Sequence, residues 1–208
     1  IRLSLVGSEM CIRDSPNIDA TGGSVYLVHP NMAYTQHRVG IISALSEQVD
    51  VCRDRLQHIV PPGASSFWTG RMMGTNMAYR RQALIDAGGF DEYYEWVYDD
   101  TDVAIRLTQA GKHVFPVLEA PVYHIPASSR NRQTTKSTGR WWIGTKAGVY
   151  FGIKNGYWAG ESPRTIGKRA LHLIHGHWLS NRQRWYEEKI SGGQLLYATA
   201  QELIHAGK

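Results

Sequence analysis

The stretch that decides the fold is residues 74–111, which read GTNMAYRRQALIDAGGFDEYYEWVYDDTDVAIRLTQAG. Its first six residues alternate between small or apolar and polar side chains, a pattern that predicts a short strand. Residues 82–87 then predict a short helix that ends at Gly88 and Gly89, because the second glycine can adopt the left-handed conformation that caps a helix. The stretch therefore begins as a strand followed by a helix.

Three carboxylates, Asp99, Asp100 and Asp102, stand within four positions directly ahead of a second predicted helix. The dipole and the free backbone N–H groups at a helix start stabilise ionised carboxylates. One aspartate there is ordinary capping, but a cap needs only one side chain, so three indicate a functional site. The apolar residues that follow share one helix face, and Gly111 ends the helix; they are Val103, Ala104, Leu107 and Ala110.

Aromatic residues precede these acids, which favours a site that handles sugars. Such a site needs ring faces for the apolar faces of a sugar and a carboxylate to accept a hydroxyl proton. Trp68, in a loop after Pro61 and Pro62, either lines the same cleft or belongs to the core. The aromatic residues of the loop itself are Tyr93, Tyr94, Trp96 and Tyr98.

These motifs together resemble the catalytic domain of family 2 glycosyltransferases, which have the GT-A fold. The matching elements are G-x-N-x-A-[FY]-R-R at 74–81, GGFDE at 88–92, [DE]-D-x-D at 99–102 and R-L-x-x-A-G at 106–111. The family's acidic motif usually begins with Glu, where this chain has Asp99. The resemblance implies an α/β fold with a partial, Rossmann-like GT-A sheet, corresponding to the second half of the catalytic domain.

The resemblance also implies an activity and a set of site residues. The reaction would be an inverting transfer of a sugar from a nucleotide-sugar donor to a hydroxyl of a cell-envelope glycan or polysaccharide. Asp100 aligns with the catalytic base, Asp99 would orient the site or bind acceptor hydroxyls, and Asp102 would do the same or cap the helix. The other expected substrate-binding residues are Asn76, Arg80, Arg81, Trp68 and Trp96.

A divalent cation, Mg²⁺ or Mn²⁺, is expected in the complete enzyme, because a diphosphate and oxygen ligands suit hard cations. The resembled enzymes hold it on a D-x-D motif shortly before a G-G-x-V-Y strand like residues 22–26. No D-x-D occurs at that place in this sequence, since Asp19, Asp50 and Asp54 do not fit the motif. His124 is the metal-ligand candidate here, and the alternative is a structural histidine at a strand end.

Residues 1–15, IRLSLVGSEMCIRDS, fit no pattern downstream and resemble a translated sequencing adapter. They are interpreted as non-native read-through and left out of the fold prediction. A signal peptide does not fit, because the charges are interspersed and the apolar run is short. Residues 16–132 are then expected to be the second half of a glycosyltransferase domain, inactive as a fragment, and residues 133–208 a basic helical extension.

The remaining pattern predicts further strands and helices around this stretch. A glycine turn at Gly22 and Gly23 precedes a strand that runs to residue 28, and residues 112–117 and 122–125 predict two more strands. Residues 36–50 and 53–60 predict strand or turn. Helices are predicted at 137–156, with Ile153 in its apolar stripe, at 164–179, with Ser162 as its cap, and at 194–205. The histidines of the second helix lack an accompanying acid or cysteine, which disfavours a metal site; they are His172, His175 and His177.

Composition limits the class of protein. The chain has 208 residues, is 42% hydrophobic and has no apolar run near membrane-spanning length, which predicts a soluble, cytoplasmic chain of one or two domains. Residues 125–189 hold twelve Lys or Arg against three Glu. That skew suits a phosphorylated donor, an anionic lipid surface or nucleic acid, with a solvated basic face as the alternative. The helices predicted in the C-terminal part are expected either to lie along the inner face of the membrane or to pack against the catalytic core. Nucleic-acid binding is not predicted, because positive charge is the only feature that supports it and no recognisable binding motif occurs.

A second class of function stays open beside the enzyme. The chain would be a non-enzymatic module that binds carbohydrate or anionic lipid. A glycoside hydrolase fits less well, because its two carboxylates flank one bond from separate elements, whereas Asp99 and Asp100 are adjacent.

Overall fold

The computed structural model describes residues 12, 14–29, 32–37, 39–50, 67–95, 97–125 and 142–188. The chain divides into two compact units. The first comprises Ile1–Glu92 and Asp99–Pro126, and the second comprises Tyr93–Tyr98 and Ala127–Lys208.

The described residues form a mixed α/β structure of seven strands and four helices. The first unit holds every strand and two helices, and the second unit holds two helices. The strands are β1 (Ala20–His29), β2 (Met32–His37), β3 (Gly40–Ser43), β4 (Gln48–Asp50), β5 (Trp68–Arg71), β6 (Met77–Tyr79) and β7 (Val114–His124). The helices are α1 (Arg81–Asp86), α2 (Asp99–Gln109), α3 (Trp142–Trp158) and α4 (Pro163–Glu188).

Strand β1 is the centre of a four-stranded mixed sheet. It pairs with β7 in parallel along one edge, with Ala20 opposite Val114 and Leu27 opposite His124. Its other edge pairs antiparallel, first with β6 and then with β2. The predicted α/β class and the predicted strand through residue 28 are therefore confirmed.

The two glycines expected in a turn lie instead inside β1, and the reason is space. A Cβ on Gly22 would lie 2.5 Å from the Asn76 carbonyl oxygen, and a Cβ on Gly23 would lie 2.1 Å from the Ala120 oxygen. No side chain fits at those distances. The glycines thus allow β6 and β7 to approach β1 closely, as glycine within a strand often does.

A single strand, β7, replaces the two strands predicted at 112–117 and 122–125. Its register against β1 shifts between Gly23 and Val25, so the irregular Ala120-Pro121 segment is absorbed without ending the strand. Within the described residues β7 pairs only with β1. An edge position of this kind tolerates proline, because one side of the strand donates no ladder hydrogen bonds.

A second, three-stranded antiparallel sheet has the order β4-β3-β5. The strand-or-turn prediction for residues 36–50 resolves into the end of β2, then β3 and β4, with a turn in which Ser43 Oγ accepts the N–H groups of Leu45 and Glu47. The prediction for 53–60 lies outside the described residues.

The core of the first unit lies between α1, α2 and the start of β1. It includes Ala20, Ala83, Val103, Ala104 and Leu107, all buried. The predicted apolar face of α2 is confirmed at three of its four positions, but Ala110 is exposed. Ala110 follows the last helical residue, where the chain turns away at Gly111 with φ 73°.

The second unit contains the two long helices predicted from the sequence. Thr165 N donates to Ser162 Oγ at 3.1 Å, which confirms Ser162 as the N-cap of α4. Helix α4 runs to Glu188, beyond the predicted end at residue 179. Ile153, expected in the apolar stripe of α3, is 48% exposed, and the helix predicted at 194–205 lies outside the described residues.

Across the described part of the chain, no helix is at once long enough and apolar enough to span a membrane.

Candidate functional site

Asp100, in the first turn of α2, has both carboxylate oxygens fixed by hydrogen bonds. Its Oδ2 accepts the backbone N–H of Gly74 at 2.6 Å. Its Oδ1 accepts the backbone N–H of Thr101 at 2.7 Å and the Thr101 hydroxyl at 3.0 Å. The Gly74 turn, directly before β6, therefore positions the carboxylate that the sequence indicates as a base.

The protonated form of Asp100 is more favourable in the folded chain than it is for an aspartate in water. Burial raises the pKa of the Asp100 carboxyl above its ordinary value. The hydrogen bond from Gly74 opposes that rise in pKa, whereas the neighbouring Asp99 carboxylate adds to it by charge repulsion. A carboxylate whose pKa moves toward neutrality is a better acceptor for an alcohol proton.

Tyr79, the last residue of β6, belongs to the same cluster, and the sequence reasoning treated it only as part of a strand. Burial raises the pKa of the Tyr79 hydroxyl, and the charges of Asp100 and Asp99 raise it further. The hydroxyl donates to Met77 Sδ at 3.0 Å. A tyrosine hydroxyl beside two acids keeps its proton and can donate it to a ligand oxygen. The signal in the sequence that could have singled out Tyr79 is strand alternation, which places Tyr79 and Met77 on the same face of β6.

The turn at Gly74 brings this tyrosine strand and the acids together. A Cβ placed on Gly74 would lie 3.6 Å from both Asp100 Oδ2 and Met77 Cε. The acidic cluster is the name used below for Gly74, Met77, Tyr79, Asp99 and Asp100. Gly74 itself is exposed and Asp99 is half-buried, so the cluster reaches the surface of the first unit.

Asp102 has a structural partner and is 0% exposed. Its Oδ2 accepts Arg106 Nε at 2.7 Å, one turn along α2. The Arg106 guanidinium also donates to the carbonyl oxygens of Ala87 and Gly89. The pair therefore fastens α2 to the glycine turn after α1, and the buried carboxylate of Asp102 is not presented to a ligand at the surface.

Asn76 is also buried and holds the sheet together. Its Nδ2 donates to the carbonyl oxygens of Ala120 at 2.7 Å and Ser24 at 3.2 Å. This amide thus bridges β1 and β7 next to the close approach of Gly23. The sequence left open whether Asn76 binds a sugar or backbone, and the structure places its amide nitrogen on backbone.

The two arginines after β6 lie in different environments. Arg80 donates to the carbonyl oxygens of Ile18 at 2.8 Å, Ile12 at 2.6 Å and Ser15 at 3.0 Å. These acceptors are main-chain atoms, so the interaction does not depend on the side chains of the segment interpreted as read-through. Arg81, the first residue of α1, is exposed. Of the two, Arg81 is the one whose side chain faces solvent.

Trp68, Trp96 and His124 complete the predicted set. Trp68 begins β5, opposite Ser43 of β3, and is half-buried. Trp96 lies outside the described residues. His124 is the last residue of β7 and half-buried, at the strand end where the sequence places it. In the described segments no group of three or more His, Cys, Asp or Glu side chains could hold a metal ion, so the metal role of His124 stays a prediction.

The tyrosines expected to wall the acidic site belong to the second unit and pack on α3. The rings of Tyr93 and Tyr150 lie 4.0 Å apart between centroids, and those of Tyr98 and Phe151 lie 5.0 Å apart. Lys146 lies 4.2 Å above the Tyr93 ring. Aromatic rings are stabilised most where other rings cover them, and α3 supplies those rings. Packing on α3 is what the structure shows for these tyrosines, and their role as sugar platforms stays a prediction.

Comparison of the chain with protein-family models, curated proteins and solved structures gave no match. Its function is therefore inferred from its own residues and their geometry.

Proposed function

We propose that this chain is the acceptor-side part of an inverting glycosyltransferase that resembles family 2 and uses a nucleotide-sugar donor. The observation that carries the proposal is the fixed carboxylate of Asp100, whose pKa is raised by burial, inside a sequence motif typical of that family. A general base must be held in place and must have a pKa that suits proton transfer. Asp100 is held in place by the N–H group of Gly74, and burial raises its pKa above the ordinary value, which is the direction a base requires.

The chemistry assigns one step to this carboxylate. An acceptor hydroxyl gives its proton to Asp100 while its oxygen forms a bond to the anomeric carbon of the donor sugar. The bond from that carbon to the nucleoside diphosphate breaks, and the diphosphate leaves with the bonding electrons. Tyr79 would donate a hydrogen bond to the acceptor from the same cluster, and exposed Arg81 would supply positive charge toward phosphate oxygens.

A divalent cation, Mg²⁺ or Mn²⁺, is expected to compensate the charge of the leaving diphosphate. Within this chain His124 is the residue that would contribute to holding it. The other ligands of the resembled family lie on a D-x-D motif ahead of the G-G-x-V-Y strand, and no D-x-D precedes residues 22–26 in this sequence. No part of the step assigned to Asp100 depends on the ion.

The test compares Asp100→Asn with wild type in the product of the complete gene. Transfer from radiolabelled nucleotide sugars should fall about 100-fold or more, the usual contribution of a general base, while donor binding measured by calorimetry stays within about twofold. Asp86→Asn is the matched control, because Asp86 is an exposed aspartate in α1. Unchanged turnover in Asp100→Asn would refute the assignment of the base.

A non-enzymatic carbohydrate-binding module is the second candidate. It is favoured by the bonds that Asn76, Arg80 and Asp102 make within the protein, because these side chains were predicted to contact the substrate of a transferase. This candidate predicts glycan binding, measured on a glycan array, without transfer from any nucleotide sugar. Turnover that depends on Asp100 excludes it.

A further inference from the structure

A single face of α4 carries exposed cations and exposed leucines in one line. The spacing between successive members is four or three residues, which places all of them on one side of a helix. Every member is exposed, and from first to last they span about 27 Å along the helix axis. The basic stripe is the name used for these six residues: Arg164, Lys168, Leu171, His175, Leu179 and Arg182.

The opposite face of α4 packs against α3, so the basic stripe faces away from that contact. A Cβ placed on Gly144 would lie 3.1 Å from Cε1 of His177, and one placed on Gly148 would lie 3.6 Å from Cδ1 of Leu173. Leu173 is nine residues after Arg164 and therefore half a turn round the helix. Burial also lowers the pKa of the His177 imidazole, as expected for the packed side.

The charge of this helix has one sign over most of its length. No Asp or Glu occurs from Ser162 to Tyr186, a stretch that contains five Lys or Arg. Exposed cations on a stretch of helix whose sequence contains no acidic residue attract anionic partners. A partner of the basic stripe would therefore carry negative charge.

The leucines decide which anionic partner fits. Leu171 is 68% exposed and Leu179 is 41% exposed, and both lie between Lys168 and Arg182 along the stripe. The backbone of a nucleic-acid duplex offers phosphates but little apolar surface for these side chains. A bilayer with anionic headgroups offers both, since arginine and lysine reach the phosphates while leucine enters the acyl boundary.

An indole at the edge of the stripe completes a membrane-type arrangement. Trp178 stacks with His175 at 6.1 Å between ring centroids, and the Arg182 guanidinium lies 5.4 Å from the Trp178 ring. Tryptophan next to cations is enriched where proteins contact the headgroup region of membranes.

We propose that the basic stripe of α4 is a docking surface for an anionic lipid bilayer. The cations and the leucines act together, because the first bring the helix to the negative surface and the second enter it. The inference does not rest on the proposed transferase activity, because adsorption to lipid needs no donor or acceptor.

The test is co-sedimentation of the full chain with vesicles of phosphatidylcholine alone and of phosphatidylcholine mixed with phosphatidylglycerol. Binding is expected only to the anionic vesicles, and it weakens as salt rises. The variant Arg164→Gln/Lys168→Gln/Arg182→Gln should bind about 100-fold more weakly, roughly fivefold per cation. Lys112→Gln, in the turn after α2, is the control for the single change Lys168→Gln. It should leave vesicle binding within about twofold of wild type.

The leucine variant separates lipid from other anionic partners. Leu171→Ser/Leu179→Ser should lose about tenfold or more in vesicle affinity, since it removes apolar area from the contact, and its far-UV circular dichroism should match wild type because both positions are exposed. Inorganic phosphate should compete no better than chloride at equal ionic strength. Three results would each overturn the proposal. They are equal binding to neutral vesicles, no binding to anionic vesicles, and tighter binding to an RNA or DNA duplex that the leucine variant retains.

Discussion

Charged side chains at the start of α2 have individual partners, whereas those along the basic stripe of α4 face solvent. Asp100 accepts from Gly74 and Asp102 accepts from Arg106, each at 2.6–2.7 Å. Specific, partly buried bonds make the loss of one side chain expensive. Exposed cations contribute by their sum and are screened by salt. Loss of the Asp102 carboxylate should therefore affect folding strongly, and single changes on the stripe should not.

The largest effect is expected when Asp102 loses its carboxylate. Asp102→Ala leaves the Arg106 guanidinium, which is only 17% exposed, without its anion, and we expect a loss of about 3 kcal/mol in the free energy of unfolding. Urea denaturation followed by tryptophan fluorescence measures it. On the α4 side, Lys168→Gln should stay within about 0.5 kcal/mol of wild type. Equal losses in the two variants would contradict the comparison.

A pair of glycine substitutions tests the same contrast through packing. Gly23→Ala adds a methyl group 2.1 Å from the Ala120 oxygen, so β7 must move, and a loss of about 2 to 3 kcal/mol is expected. Gly167→Ala in α4 meets nothing within 4 Å and should stabilise the helix by about 1 kcal/mol. Thermal denaturation should show shifts of opposite sign. A stabilised Gly23→Ala variant would mean that β1 and β7 are not held this closely.

The cap of α4 should give a moderate effect. Ser162→Ala removes the acceptor for Thr165 N and should cost about 1 kcal/mol. Ser162→Asp keeps an acceptor at the helix start and is the matched rescue. Hydrogen exchange at the first turn of α4 should speed up in the alanine variant and return toward wild type in the aspartate variant. Unchanged exchange in the alanine variant would show that this helix end does not depend on its cap.

The smallest expected effect is a change in pH dependence at Asp100. Because its pKa is raised above 3.8 in the folded chain, the folded state binds this proton more tightly than the unfolded state. The free energy of unfolding therefore falls as pH rises from about 3.8 through the raised pKa, and Asp100→Asn should remove that part of the fall. Urea denaturation at a series of pH values measures the slope, and Asp86→Asn is the control. The same change of slope in both variants would contradict the assignment.

Much of the local structure follows from short-range patterns. Gly88, Gly89 and Gly111 end α1 and α2 with positive φ angles, as glycine after a helix predicts. Ser162 caps α4 and Pro163 is its first residue, as a serine followed by a proline predicts for a helix start. These signals act between residues a few positions apart, so they can be read without knowing the rest of the fold.

The roles within the candidate site depend on contacts that sequence spacing does not reveal. Asp100 and Asp102 are chemically identical, but one accepts from Gly74, 26 residues away, and the other accepts from Arg106, whose guanidinium also donates to the turn after α1. Arg80 is placed by carbonyl groups 62 or more residues earlier in the chain. The sequence motif assigns these side chains to one site, whereas in the folded chain each of them bonds to a different set of partners.

By itself the sequence determined the ends of α1 and α2, the start of α4, the central strand, the α/β class and the identification of Asp100 as the residue to test. Tertiary structure decided which acid is buried, why Gly22 and Gly23 are glycines, and that the tyrosines before α2 pack on α3. Caps and alternation are fixed by neighbouring residues and the backbone geometry of one element. Burial and partner choice depend on segments that meet only after the chain has folded, and those contacts set each side chain's charge and exposure.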